Sequence, residues 1–330
     1  MNGRPIPGRP GIRRAYRDAL GLIAVAAGPT LYRSATIFAD TLGFAVPQPA
    51  AELVGHLVSL AATLAGGRWL LHLIEVRLHG NGRRQFRLQL TATAVAVADG
   101  IDIAIGVYGG DSTRLPAMVL AVWLAWEVIR ARGISTDEFE TPLGRVPWWT
   151  PSWLVAAVAL AAFIATGRLS TGLHGYGPTT SGSQLAILSI DNPMILASRI
   201  AWTSMIEELV VTAAVITLLR QARRPVWEWT LLVVGVRVLG HAYLGTPALA
   251  QILIGLVAVL LYVRCRGLAP LIVVHFLYDL EPTVPISALA AILAMAIHTI
   301  YQTVTTPAPD TGDNTGTGST PSSRKIRSLR

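Results

Sequence analysis

Ten mostly apolar stretches, most of them close to the length of a membrane-crossing helix, follow one another along this 330-residue chain. They are 18–45, 51–75, 88–108, 115–131, 151–167, 194–219, 228–244, 248–263, a short 268–281 and 286–304. A helix of roughly 20 residues spans the hydrocarbon of a bilayer, and in lipid every backbone polar group must be satisfied within its own segment. The expected fold is therefore an all-α, polytopic transmembrane helical bundle of about eight to ten membrane helices. Composition points the same way: 52% of residues are hydrophobic and 14% charged, too little polar surface for an ordinary soluble domain.

The net charge of +8 does not indicate a nucleic-acid partner, because the basic residues are not gathered on one face. They fall in short groups between apolar runs: Arg77, Arg83, Arg84 and Arg87; Arg220, Arg223 and Arg224; Arg264 and Arg266. That is the pattern of cytoplasmic loops. Arginines at 4, 9, 13, 14 and 17 put the N-terminus on the cytoplasmic side, and no small-residue cleavage site follows, so the first segment reads as an uncleaved span.

The chain divides into a basic cytoplasmic N-terminus (1–17), N-terminal membrane helices (18–167), an outside loop rich in Gly, Ser and Thr (168–193), a C-terminal membrane domain (194–304) and a disordered cytoplasmic tail (305–330). The location expected is the cell membrane, multi-pass, with both termini cytoplasmic. The lone Cys265 rules out an intrachain disulfide framework and a cysteine-based zinc ribbon. No repeat of fixed period is present, which weakens a carrier built from duplicated halves.

Within the sixth stretch, which Asn192-Pro193 opens as a capped helix start, stand two adjacent carboxylates, Glu207 and Glu208. An ionised carboxylate at that depth costs about 3 kcal/mol on insertion scales, which makes an intramembrane Glu a functional-site candidate. Neighbours on a helix diverge by about 100°, so the two are expected to have separate jobs. Either they pair with arginines to lock helices or line an ion path, or one of them, kept from bulk water, serves as a general base. His56, His72 and His298 read as packing residues. His241 lies late in the seventh stretch. His275 has Asp279 one turn on, where a carboxylate can fix the imidazole tautomer.

In order and spacing, these residues resemble the CPBP intramembrane proteases, the CAAX prenyl endopeptidases and their bacteriocin-processing or immunity relatives. The family's three motifs, EExxxR, FxxxH and HxxxN/D, correspond here to Glu207-Glu208-Leu209-Val210-Val211-Thr212, Arg237-Val238-Leu239-Gly240-His241 and His275-Phe276-Leu277-Tyr278-Asp279. The resemblance covers roughly residues 194–281. Two positions depart from the pattern: Thr212 stands where the motif has arginine, and Arg237 where it has phenylalanine. Arg237, one turn before His241, is expected to replace the missing cation and hold Glu208.

The resemblance implies an endopeptidase in which Glu207 activates the attacking water and Glu208, His241, His275 and Asp279 complete the catalytic set. Its substrate would be a membrane-associated peptide or protein within the bilayer. Two cofactor readings stay open. Glu208, His241 and His275 with an open fourth position suit a catalytic Zn2+, and the same groups suit a metal-free glutamate base with a histidine oxyanion site. Asp279, which as a carboxylate only accepts, favours the metal. The competing functions are a non-catalytic immunity or scaffold protein of the same fold, and a proton-coupled transporter.

Overall fold

The computed structural model describes residues 11–44, 47–108, 112–134, 152–180, 192–265 and 268–280. They form helices α1 (Ile12–Ala26), α2 (Gly28–Thr41), α3 (Gln48–Arg77), α4 (Gly82–Val107), α5 (Leu115–Ala131) and α6 (Ser152–Leu173). Then come α7 (Pro193–Met205), a π-helical stretch (Ile206–Ala214) that continues it, α8 (Val215–Gln221), α9 (Val226–Gly240), α10 (Gln251–Cys265) and α11 (Leu268–Asp279). Two 3-10 turns, Ala242–Leu244 and Thr246–Ala250, join α9 to α10.

Local chemistry explains several boundaries. Proline sits in the first turn of α2, α3, α5 and α7, where its missing N–H costs nothing. The side chain of Asn192 caps α7 by accepting from Met194 N (2.9 Å) and Ile195 N (3.3 Å). The interruption of the first apolar stretch around Pro29 is a bend of 64° between α1 and α2.

Among the described residues, five helices are long and apolar enough to cross a membrane, or six when the bent α1–α2 pair counts as one span. This all-α polytopic bundle is the expected class, with fewer full-length spans than the eight to ten of the sequence reading. The difference has a physical source: α5, α9 and α11, with 17, 15 and 12 residues, are apolar but short. Part of α5 faces other helices, since Leu120, Leu124 and Val128 are all buried. The expected span at 286–304, with His298 in it, and the tail at 305–330 lie outside the described residues.

The main core joins α1, α3, α5, the π stretch, α8 and α9, and a second apolar cluster joins α6, α10 and α11. At one end of the bundle, ion pairs tie four of these helices to their neighbours. Buried Asp18 meets Arg132, Arg77 lies 2.9 Å from Glu127, and Glu228 pairs with both Arg224 and the Tyr16 hydroxyl. Beyond α6, the loop at 178–180 lies along the 3-10 turns. Thr246 N donates to the Pro178 carbonyl (2.8 Å), and Thr179 bridges Gly245. Gly245 has φ +75°, and a Cβ there would stand 2.1 Å from the Pro178 oxygen, so the turn after His241 requires glycine.

Candidate active site

The π stretch supplies both glutamates. Its wider turn shows in the Thr212 hydroxyl, which donates to the carbonyl of Glu207 five residues back (2.8 Å). A turn holding more residues rotates less per residue, so the two carboxylates diverge less than on an α-helix. One guanidinium, that of Arg237 on α9, reaches both: Nη2 lies 2.5 Å from Glu208 Oε1 and Nη1 lies 3.1 Å from Glu207 Oε2. The divergence of about 100° expected of helix neighbours does not keep the two from sharing one partner. Arg237 Nη2 also stands 3.3 Å from the Thr212 hydroxyl, so its cation occupies the neighbourhood of the motif arginine's position.

Behind these contacts runs a buried chain of charged groups. His275 on α11 places Nδ1 2.8 Å from Glu208 Oε1 and Nε2 3.4 Å from Asp279 Oδ2. The side chains of Glu208, Arg237 and His275 are 0%, 1% and 3% exposed, whereas those of Glu207 and Asp279 are 16% and 24% exposed. The two classes follow from position. Glu208, Arg237 and His275 lie inside the helix packing, while Glu207 and Asp279 line a cavity of about 200 Å³, room for several water molecules. His241 lines the same cavity. It ends α9, and its Nδ1 donates to the carbonyl of Arg237 (2.9 Å), which leaves Nε2 as the ring nitrogen not used by the backbone.

The opposing wall comes from α2 to α5, with Ser34, Thr63 and Asp99 among the lining residues. Ser34, 1% exposed, donates to the carbonyl of Gly240 and accepts from the amide of Tyr243, each at 2.9 Å, and so clamps the backbone on both sides of His241. The ring of Phe163 on α6 covers His275 at 4.8 Å between centroids. Neither residue carries a signal in the sequence: Phe163 is one apolar residue in an apolar run, and Ser34 one of many hydroxyls.

Of the two cofactor readings, a zinc on Glu208, His241 and His275 does not suit this arrangement of side chains. A metal needs a ring lone pair aimed at it, but both nitrogens of His275 face carboxylate oxygens. Glu208 Oε1 already holds a guanidinium, and His241 reaches the set only through the backbone of Arg237. Among the described residues, no three His, Cys, Asp or Glu side chains converge as metal ligands.

Residues 190–280 match the family model described as type II CAAX prenyl endopeptidase Rce1-like. This match supports membership of the CPBP family for the segment it covers. Neither a curated protein nor a solved structure matches the chain. All three CPBP motifs fall inside the matched segment, and the cavity they face is closed by helices outside it. CPBP proteins of this kind are membrane peptidases of the CAAX type.

Proposed function

We propose that this protein is an intramembrane endopeptidase that hydrolyses a peptide bond of a membrane-associated protein or peptide, at the wall of the cavity formed by Glu207, His241 and Asp279. One observation carries the reading. Of two adjacent carboxylates, Glu208 is immobilised in a buried chain with Arg237 and His275, while Glu207 faces a cavity beside His241. Glu207 also touches Arg237, but an ion-pair lock alone gives no reason for its carboxylate to be exposed to the cavity as well.

The proposed chemistry follows from these positions. Glu207 accepts a proton from a water molecule as the water oxygen attacks the scissile carbonyl carbon. His241, with Nδ1–H held on the Arg237 carbonyl, turns Nε2 towards the oxygen on which negative charge develops and, when a proton is there, donates it as a hydrogen bond. Glu207 then returns its proton to the leaving amine as the C–N bond breaks, so one water is consumed and one acid and one amine are released. Arg237 sets the position of Glu207 from one side, while the Glu208–His275–Asp279 chain holds α11 against the π stretch.

The test is cleavage of peptide libraries by the purified protein in lipid nanodiscs, read by mass spectrometry. Removing a general base costs about 10²- to 10⁴-fold, so Glu207→Gln is expected to lose that much activity while its unfolding midpoint stays close to wild type. Wild-type cleavage rates in Glu207→Gln would end this assignment of the base. A wild-type protein that cleaves nothing would instead leave the scaffold or immunity reading.

A further inference from the structure

The two ends of the bundle are built differently, and the cavity belongs to one of them. The ion pairs of Arg132 with Asp18, Arg77 with Glu127 and Arg224 with Glu228 stand at the end where the basic loops lie. Between those pairs and the cavity the packing is apolar and closed: Leu22 on α1, Leu70 on α3, Leu124 on α5 and Ile216 on α8 are all buried. The residues that line the cavity fall on the other half of each helix. Ala26 ends α1, Ile103 lies near the end of α4, Ala117 is in the first turn of α5, and Gly240 ends α9. Basic residues stand at the start of α1 and α4, before α9 and at the end of α5, so all four points lie away from them.

The helix that carries the glutamates shows the same asymmetry residue by residue. Every residue from 211 to 219, on the side towards the basic loops, is buried, whereas none from 193 to 199 is. Thr203, half-buried in the cavity wall one turn before Glu207, lies between that open side and the glutamate. Arg33 on α2, which lines the cavity, is itself exposed. The charges at this end select no ligand, since Arg33 and Arg114 are offset by Asp99 and Asp102, and Arg199 Nε holds the Ser112 carbonyl (3.0 Å). They do indicate water, because charged side chains within a membrane protein line water-filled space or pair with one another, and do not face hydrocarbon.

We infer that Glu207 is reached from water at the membrane face opposite the basic loops, and only from that face. Basic loops stay in the cytoplasm, so the polypeptide cut is one whose scissile segment lies on the extracytoplasmic side of the membrane. This assignment of the substrate rests on the peptidase reading; the sidedness of the cavity does not.

Cysteine accessibility tests it. Cys265 is the lone cysteine of the chain, so Cys265→Ser gives a background in which one thiol is placed at a time. Thr203→Cys puts a thiol in the cavity, and Ala117→Cys puts one on the facing wall should the first variant not fold. Arg84→Cys, at an exposed position in the basic start of α4, marks the face of the basic loops. Spheroplasts and inverted vesicles from an expressing bacterium are treated with a membrane-impermeant methanethiosulfonate, and modified protein is counted by intact-mass spectrometry. The cavity cysteine is expected to react from the face at which Arg84→Cys does not, and to lose that reaction at the face where Arg84→Cys is modified.

Reaction of the cavity cysteine and Arg84→Cys from the same face, reaction of the cavity cysteine from both faces alike, or reaction of neither cavity cysteine from either face overturns the inference. A peptide pool is then supplied to one face at a time of membranes holding the Cys265→Ser protein. Cleavage only at the face that modifies Thr203→Cys supports the substrate assignment, and cleavage only at the face of the basic loops overturns it. Labelling is read without turnover, so the two proposals fail separately. Labelling from opposite faces with no cleavage at either loses the peptidase reading alone, and cleavage with the cavity labelled from the face of the basic loops loses the sidedness alone.

Discussion

Glu207 and Glu208 are chemically the same residue in adjacent positions, and what a substitution removes differs between them. Glu208→Gln keeps the shape but takes the charge from a fully buried partner of Arg237, leaving the guanidinium with the less aligned Glu207 contact. Breaking one side of a buried pair costs about 3–5 kcal/mol, because the remaining charge stays desolvated. The expected outcome is a large fall in the unfolding midpoint of Glu208→Gln, read by thermal denaturation in detergent, with activity lost along with the fold. Glu207→Gln should move the midpoint little and remove activity instead. If the two variants were equally destabilised, the division of labour between the carboxylates would be wrong.

At the scale of helices, the notable substitution is the exchange of a cation between two elements. The family pattern carries its arginine on the glutamate helix and a phenylalanine on the next; here Thr212 stands on the first and Arg237 on the second. Arg237 is fully buried, with its stem packed beside Gly255 of α10. Arg237→Phe alone should cost about 3–5 kcal/mol, since it strands Glu208. Adding Thr212→Arg should recover most of that loss, because the two positions are already within hydrogen-bond reach of each other. Folding yield and unfolding midpoint of the single and double variants check this, and a double variant no better than Arg237→Phe would show that the positions are not interchangeable.

The same scale explains what the sequence made legible. The acids and histidines stood out because charge in an apolar run is costly, and their order along the chain carried the family resemblance. The π stretch did not stand out, since Ile206 to Ala214 contains no glycine or proline to mark a change of winding. The bend at Pro29 was readable for the opposite reason.

At the scale of the whole molecule, the site is a joint between a motif-bearing third and helices whose sequence announces nothing. The cavity wall on α2 to α4 is made of residues such as Ser34, Thr63 and Asp99. Hydroxyls of this kind are at home in any membrane helix, where the carbonyl four residues back satisfies them, as Ser59 does for Thr63 (3.0 Å). Ser34 is different, because its two bonds reach across the bundle to Gly240 and Tyr243. Ser34→Ala leaves a part-buried carbonyl and a buried amide without this partner, a cost of about 1–3 kcal/mol. The damage should be local as well as energetic. His241 lies between the two released groups, so the variant should lose kcat about tenfold or more with KM nearly unchanged, and amide exchange should speed up at 241–245. Gly245→Ala, which disturbs the same turn from the Pro178 side, should reproduce both effects. Unchanged kcat and unchanged exchange in Ser34→Ala would mean that the 3-10 turns hold His241 unaided and that α2 is only a wall.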